Sequence, residues 1–415
     1  MTRPEQDWNF ATKLRVAFPA LAIVFVLTTF TSASSQGQTV TTIYSFTGGA
    51  DGQYPAAGLT MDAAGNFYGT ASYGGYTGGY CFSGCGTVFK LQHKGSGWVL
   101  LPIYSFTYSD GSSPQARVIF GPDGNLYGTT AYGGPADKGV VFRLQPPATA
   151  CKAALCPWNE TVLYAFTGGA DGANPTYGDL AFDQAGNIYG TTPGGGDPVC
   201  KCGVVYELSP SNGGWTQTIL HTFQQDHDGE GAYAGVIFDA AGNLYGTTAG
   251  GGPQGSYGAG TVYQLTPSGD GWAETILYSF MGDKDGGYPY GGLILDAAGN
   301  LYGVNSSGVV YELSPSNGGW TFKLLYTFMN VYEGSFAQLT MDTRGQLYGT
   351  LALAGQDVFR LTPAGGLWFL TGFSYNGSGL DIPDGSVSLD ASGNVYTTTS
   401  RGGKHVQGSI LEITP

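Results

Sequence analysis

The side chains best equipped for chemistry are few and sit close together. Asp226-His227-Asp228-Gly229-Glu230 gathers three carboxylates and an imidazole, and Asp285 holds the equivalent place one repeat later. Such a set suits a hard cation such as calcium, which takes several oxygen ligands. It also offers His227 as a general base. An EF-hand spacing fails, because Gln224 stands where the first ligand belongs and Gly235 where the bidentate Glu belongs. The chain has 4 His. His221 replaces a Tyr that recurs at Tyr104, Tyr164 and Tyr278, so it reads as a packing or hydrogen-bonding group. His93 falls on the opposite face. His227 and His405 are left as the pair to test for catalysis or metal ligation. No Gly-x-Ser-x-Gly elbow or phosphate-binding Gly-Lys-Ser/Thr loop is present.

Asp226 and its neighbours belong to a wider acidic series. Asp51, Asp110, Asp171, Asp228, Asp285 and Glu333 each precede a Gly, with Asp381 or Asp384 as an ambiguous seventh. A carboxylate ring on one face would hold a cation, with Asp226, Asp228, Glu230 and Asp285 as its ligands. The simpler reading is a turn, supported by Pro55, Pro114, Pro175 and Pro289 shortly after the Asp. The expectation is that no cofactor is required, with a bound cation such as calcium as the alternative. A second chemistry lies in the Gly-rich loops, where Tyr73, Tyr76, Tyr80, Phe82, Tyr132 and Tyr257 could stack on sugar rings or pack against one another.

What must position these groups is a repeat. Asp62-Ala-Ala-Gly-Asn-Phe-Tyr-Gly69 returns in variants ending at Gly128, Gly190, Gly246, Gly303, Gly349 and Thr397. Its Asp opens a turn and its first Gly, Gly65 in the first copy, takes positive φ, which makes a hairpin. Apolar runs of about five residues flank the turn, and a third run and a Trp-led fourth run follow, giving strands A to D. The last unit carries only three, and Thr42-Ile-Tyr-Ser-Phe46 at the other end matches the missing strand D. The pattern predicts an all-β, seven-bladed propeller of four-stranded antiparallel blades, its ring closed by an N-terminal strand over 41–46. Spacing between turns falls from about sixty residues to under fifty, within the range for such blades. The loops between B and C are long in blades 1 to 4 and short in blades 5 and 6, which implies a groove open on one side.

Residues 1–33 read as a secretory signal peptide: Lys13 and Arg15 precede an apolar run from Val16 to Phe30, and small residues follow, with cleavage after Ala33. Residues 34–40 form a short linker and 41–415 a single propeller domain. Pro19 and the shortness of the run argue against a membrane anchor, so no stable membrane span remains after cleavage. The 6 Cys form close pairs, Cys81 with Cys85, Cys151 with Cys156 and Cys200 with Cys202, as expected of local disulfides in an oxidising compartment. A zinc site from Cys81, Cys85, Cys200 and Cys202 is the alternative, and Cys-Lys-Cys could instead stay free.

Composition narrows the partners. The chain carries a formal charge of -14. Removing three cations and two anions with residues 1–33 makes it about -15, which excludes nucleic acid and anionic membranes. Charged residues are 11% and aromatics 14%, against about 25% charged in an ordinary protein. Such a surface suits neutral sugars or an extracellular protein. The pairing of Gly242 to Thr248 with Gly260 to Pro267 and Leu277 to Phe280 resembles the GloVer tandem-repeat family of exported bacterial proteins over residues 41 to 415. Units 6 and 7 depart, with Gly345-Gln-Leu and Val395-Tyr-Thr. The resemblance implies export and a propeller and brings no catalytic residue with it. The surface-sorting segment that ends some members does not follow the last unit here. The resulting expectation is a secreted, monomeric, non-catalytic binding or scaffolding propeller for a glycan or extracellular protein. A polysaccharide-cleaving enzyme and an adhesive surface protein are the alternatives.

Overall fold

Each repeat folds outward from its turn. In the computed structural model, which describes residues 38–148, 157–253, 258–269, 271–329, 331–333, 337–353, 358–373 and 384–414, the Asp62 carboxylate accepts from the backbone of Ala64 and Asn66 at 2.9 Å. It also accepts from the Asn66 amide at 2.8 Å and the Tyr68 hydroxyl at 3.2 Å. Gly65, at φ 79°, takes the left-handed position that side chains resist. One carboxylate thereby fixes the turn and the aromatic of the strand after it. Asp183, Asp239, Asp296 and Asp390 repeat the arrangement. Gly121 holds that place in the second copy, and Asp123 supplies the bonds to Asn125 and Tyr127 from two residues on. Burial alone would raise these carboxyls, but their hydrogen bonds outweigh it and hold Asp62, Asp123, Asp239 and Asp296 below the usual carboxylate range.

In blade 1 the strands are A, Thr60–Met61; B, Phe67–Ala71; C, Thr87–Lys94; and D, Gly97–Ser105. Among the described residues seven such four-stranded antiparallel sheets form, and no helix. Blade 7 takes A, B and C from Ser388–Leu389, Val395–Thr399 and Ser409–Thr414. Its D strand is Thr39–Ser45, paired from Thr39 with Thr414 to Ser45 with Ser409. The chain is a seven-bladed β-propeller closed by its own N-terminal strand, as the repeat predicts.

Two details differ from the sequence expectation. Strand A is two residues long in every blade, not about five. The reason is that the carbonyls just before it accept from side chains of the preceding blade and not along their own sheet. Thr60 Oγ1 donates to Val118 O, Thr340 Oγ1 to Val387 O at 2.6 Å and Ser388 Oγ to Leu59 O at 2.5 Å. In addition, Val331–Glu333 pairs with Ala352–Leu353 as a small extra sheet at blade 6.

The blades are joined by two repeated devices. The Phe after strand D packs edge-on against the strand C aromatic of the next blade, as Phe46 on Phe89, Phe106 on Phe142, Phe166 on Tyr206 and Phe223 on Tyr263, with centroids 5.1–5.3 Å apart. The Thr two residues after the strand B Tyr donates across the interface, from Thr70 to Ala116 O at 3.0 Å, Thr191 to Ala234 O at 2.8 Å and Thr398 to Ala57 O at 2.7 Å. Most of the recurring letters are therefore accounted for by blade-to-blade packing.

Candidate functional site

The chain entering strand A of blades 2, 4, 6 and 7 alternates buried with half-exposed residues, the period-two pattern of a strand with one face on open space. That open space is a cavity of about 260 Å³ to which all seven blades contribute, so it lies on the propeller axis. Two stacked rings line it. Four residues before the turn stand Gly58, Arg117, Asp179, Gly235, Gly292, Gln338 and Ser386. Six before it, Ala56, Gln115, Tyr177 and Asp384 line the cavity, Tyr233 and Tyr290 hold the same register outside that lining, and Phe336 lies outside the described residues. Ile119, Ala181 and Ile237 make the apolar level below.

The inner ring is pinned by polar bonds between neighbours. Arg117 grips Asp179 Oδ2 through Nε at 2.9 Å and Nη2 at 2.6 Å, and its backbone N–H reaches Oδ1 at 3.1 Å. Fixed geometry of this kind is where Arg exceeds Lys. Gln338 donates through Nε2 to Leu293 O at 2.5 Å and through its backbone to Ser386 Oγ at 3.0 Å. The outer ring is aromatic. Tyr233 meets Tyr290 edge-on at 5.2 Å. Burial, then Asp384, Tyr132, Tyr233 and Tyr73, push the Tyr177 hydroxyl up to about 12.

The aromatic wall expected from sequence divides in two. Tyr73 stands edge-on to Tyr54 with centroids 5.8 Å apart and pairs through its backbone with Gln53, as Tyr132 does with Ser112. Tyr76 and Tyr80 line a separate cleft of about 410 Å³ with Tyr108 and Pro135 between the loops of blades 1 and 2. Tyr80 leans on Tyr108 at 5.0 Å, and Phe82 stands 89% exposed beside them. Tyr257 lies outside the described residues. Cys81 is bridged to Cys85 and Cys200 to Cys202, so neither the shared zinc site nor the free Cys-Lys-Cys forms. Cys151 and Cys156 lie outside the described residues.

The acidic series serves its own turns. Asp51 accepts from Tyr44 at 3.0 Å and Thr47 N at 2.8 Å, Asp110 from Tyr104 at 2.7 Å, and Asp285 from Tyr278 at 2.9 Å and Met281 N at 3.0 Å. In blade 3, His221 substitutes for that Tyr, its Nε2 2.7 Å from Asp228. Asp226 and Glu230 sit in the same loop, the latter paired through its backbone with Gly250. Among the described residues no three His, Cys, Asp or Glu gather closely enough to hold a metal. His227, whose N–H donates to Gln224 O at 2.7 Å, lies between blades 3 and 4. His405 belongs to blade 7, adjacent to neither, so the structure does not bring the two together.

Glu160 bears directly on one of these turns. Burial, then the Asp110 carboxylate, push its carboxyl from 4.5 up to about 7. Between those values the folded chain holds more protons than the unfolded one, so stability is greatest at the acid end and falls as pH rises. Discounted for the solvent that still reaches the carboxyl, the penalty is about 1–2 kcal/mol. Glu160→Gln is expected to raise the melting temperature near neutrality and flatten this part of its pH profile. Parallel profiles for mutant and parent would refute it.

Arg117, Tyr177, Asp179, Gln338 and Ser386 were not singled out by the sequence. Their signal is variation: the registers four and six residues before a repeated turn change character from blade to blade while their surroundings do not.

Residues 27–197 and 148–357 match the model of the Gloeobacter/Verrucomicrobia repeat. Among solved structures, the extracellular domain of a hybrid two component system protein from B. thetaiotaomicron is similar at TM-score 0.51 and 11% identity, over 91% of this chain and 41% of that one. The chain thus spans about two fifths of the length of that structure. A 6-phosphogluconolactonase-like protein from Bacteroides uniformis gives 0.48 at 15% identity, covering 75% and 84%. A gluconolactonase from Xanthomonas campestris gives 0.42 at 15%, covering 75% and 85%. At these identities the likeness is one of fold. No curated protein matches the chain.

Proposed function

Since this chain belongs to the Gloeobacter/Verrucomicrobia repeat family, we propose that it is a secreted, non-catalytic propeller that binds the end of a glycan in its axial pocket. The observation that carries this reading is the stepped lining of that pocket. Tyr177 offers a ring for sugar C–H groups, and beside it Arg117, Asp179, Gln338 and Ser386 offer fixed donors and acceptors for hydroxyls. The volume of about 260 Å³ suits one or two sugar units. Export is supported by the paired cysteines, since disulfides persist in oxidising compartments. Among the described residues no helix is long and apolar enough to cross a membrane.

The test is native electrophoresis through gels cast with different polysaccharides, stained for protein and polymer. One polymer is expected to slow the chain while staying intact, and Tyr177→Ala to weaken retardation by about tenfold, the value of a stacking ring. Cleared polymer would replace this reading with a depolymerase. Unchanged migration over a broad panel would leave an adhesive or scaffolding role.

A further inference from the structure

The two disulfides among the described residues differ in how open they are. Cys85 and Cys202 hold the same register, one residue before Gly86 and Gly203 at the entry to strand C, and both are buried. Cys85 is bridged to Cys81, four positions back and equally buried. Cys202 is bridged to Cys200, only two positions back and half-exposed. Burial shields the first pair from any attacking thiolate, while the second stands within reach of solvent.

The fold does not require that second bridge. In blade 3 the loop is closed by Gly203 N–H donating to Gly195 O at 3.0 Å, with Lys201 in the left-handed region at φ 55°. Blades 2 and 7 make the same closure without cysteine, from Gly139 to Gly133 O and from Gly408 to Gly402 O, both at 3.2 Å, with Asp137 at φ 54° and Val406 at φ 59°. The left-handed residue thus belongs to the repeat, and the loop keeps its shape whichever state the sulfurs take. Groups around the bridge favour the open state. Phe223 O lies 3.7 Å from Cys200 Sγ, an acceptor that a thiol can use and a disulfide sulfur, having no proton, cannot. Lys201 is exposed between the two cysteines, and a neighbouring cation eases formation of a thiolate. Asp197 is the opposing charge, and its Oδ1 is taken by the N–H groups of Val199 at 2.8 Å and Cys200 at 3.0 Å.

We propose that the Cys200–Cys202 bridge is a thiol–disulfide exchange centre that oxidises the dithiol of a polypeptide. One thiolate of the polypeptide attacks Cys200 Sγ, the S–S bond breaks, and its electron pair leaves on Cys202 Sγ, which takes a proton from solvent. The second thiolate then attacks the polypeptide's own sulfur in the mixed disulfide and expels Cys200 as a thiolate, which is protonated and donates to Phe223 O. Two electrons pass to the chain and the polypeptide leaves as a disulfide, so one chain oxidises one dithiol. Val199, 91% exposed beside Cys200, supplies an apolar contact for the incoming peptide. The site is independent of the axial pocket and of the glycan reading.

The experiment equilibrates the full mature chain with graded ratios of reduced to oxidised glutathione, blocks free thiols by alkylation and maps each cysteine by mass spectrometry. Cys200–Cys202 is expected to open at a ratio about a hundredfold less reducing than Cys81–Cys85. Mixed without oxygen with a reduced synthetic peptide carrying two cysteines, the chain should form peptide disulfide in step with the thiols that appear at Cys200 and Cys202. Cys200→Ser/Cys202→Ser should remove that yield, and the titration of the parent chain carries the test whether or not this variant folds. Both pairs opening together would overturn the proposal. So would thiols already free at Cys200 and Cys202 in the oxidised chain, or a bridge that glutathione opens but that forms no peptide disulfide.

Discussion

Gly246→Thr in blade 4 is expected to cost about 3 kcal/mol, and adding Tyr263→Leu to the same chain to return part of that loss. Gly246 pairs in register with Tyr263 of the neighbouring strand, and a Cβ on Gly246 would stand 2.3 Å from the Tyr263 hydroxyl oxygen and 2.5 Å from Cζ. The ring cannot swing clear. It is fully buried, with Phe223 edge-on at 5.1 Å, and overpacking such a site typically costs 1–3 kcal/mol or somewhat more. The same crossing occurs in other blades, with Phe89 over Gly69 at 2.6 Å, Phe142 over Gly128 at 2.7 Å and Tyr311 over Gly303 at 2.3 Å. Blade 7 departs at both places together, pairing Thr397 with Leu411. The double variant installs that solution in blade 4. Urea unfolding of parent, singles and double measures the coupling, for which about 1–3 kcal/mol is expected of directly touching residues. Additive losses would mean that the blade 7 pair is not a compensation.

That exchange shows what the sequence makes legible. Letters that do the same job in every blade are readable from one chain, because seven copies act as an internal comparison. The turn Asp, its left-handed Gly, the Trp and the closing strand were all recovered in this way. The pocket was not, for the same reason. A binding surface on the axis is built from one residue per blade, and its specificity requires those residues to differ, so Arg117, Asp179 and Gln338 read as noise between repeated phrases. The short strand A hid them further, since an expected five-residue strand places these side chains in a sheet and not on a channel wall. Acidic repetition is ambiguous in the opposite direction. Asp51, Asp110 and Asp285 recur because each turn needs a carboxylate for the same tyrosine, and a structural requirement repeated around a ring resembles a metal site in sequence.

Closure is the interaction on which the ring most depends, and deleting residues 38–46 is expected to abolish the folded monomer. The deletion removes the seven-residue strand Thr39–Ser45 and exposes the whole edge of Ser409–Thr414, whose unpaired backbone groups then invite association with other chains. It also removes Phe46, which is fully buried among Leu59, Phe67, Phe89, Leu91 and Ile410. Phe46 stands 5.2 Å from Phe89 and donates its N–H to Gly408 O at 3.0 Å, so blades 7 and 1 lose the aromatic contact that the interfaces from blade 1 through blade 6 keep. Phe46→Ala alone is expected to cost about 3–5 kcal/mol, the usual loss for a buried ring. Size-exclusion chromatography should show the deleted chain as aggregate, and a synthetic peptide spanning residues 38–46 supplied during refolding should restore the monomer, because the pairing it replaces is antiparallel and runs from Thr39 to Ser45 with one bulge at Ile43. A monomer that melts like the parent without the peptide would mean that the other six interfaces hold the ring by themselves, and that strand exchange at blade 7 serves folding order and not stability.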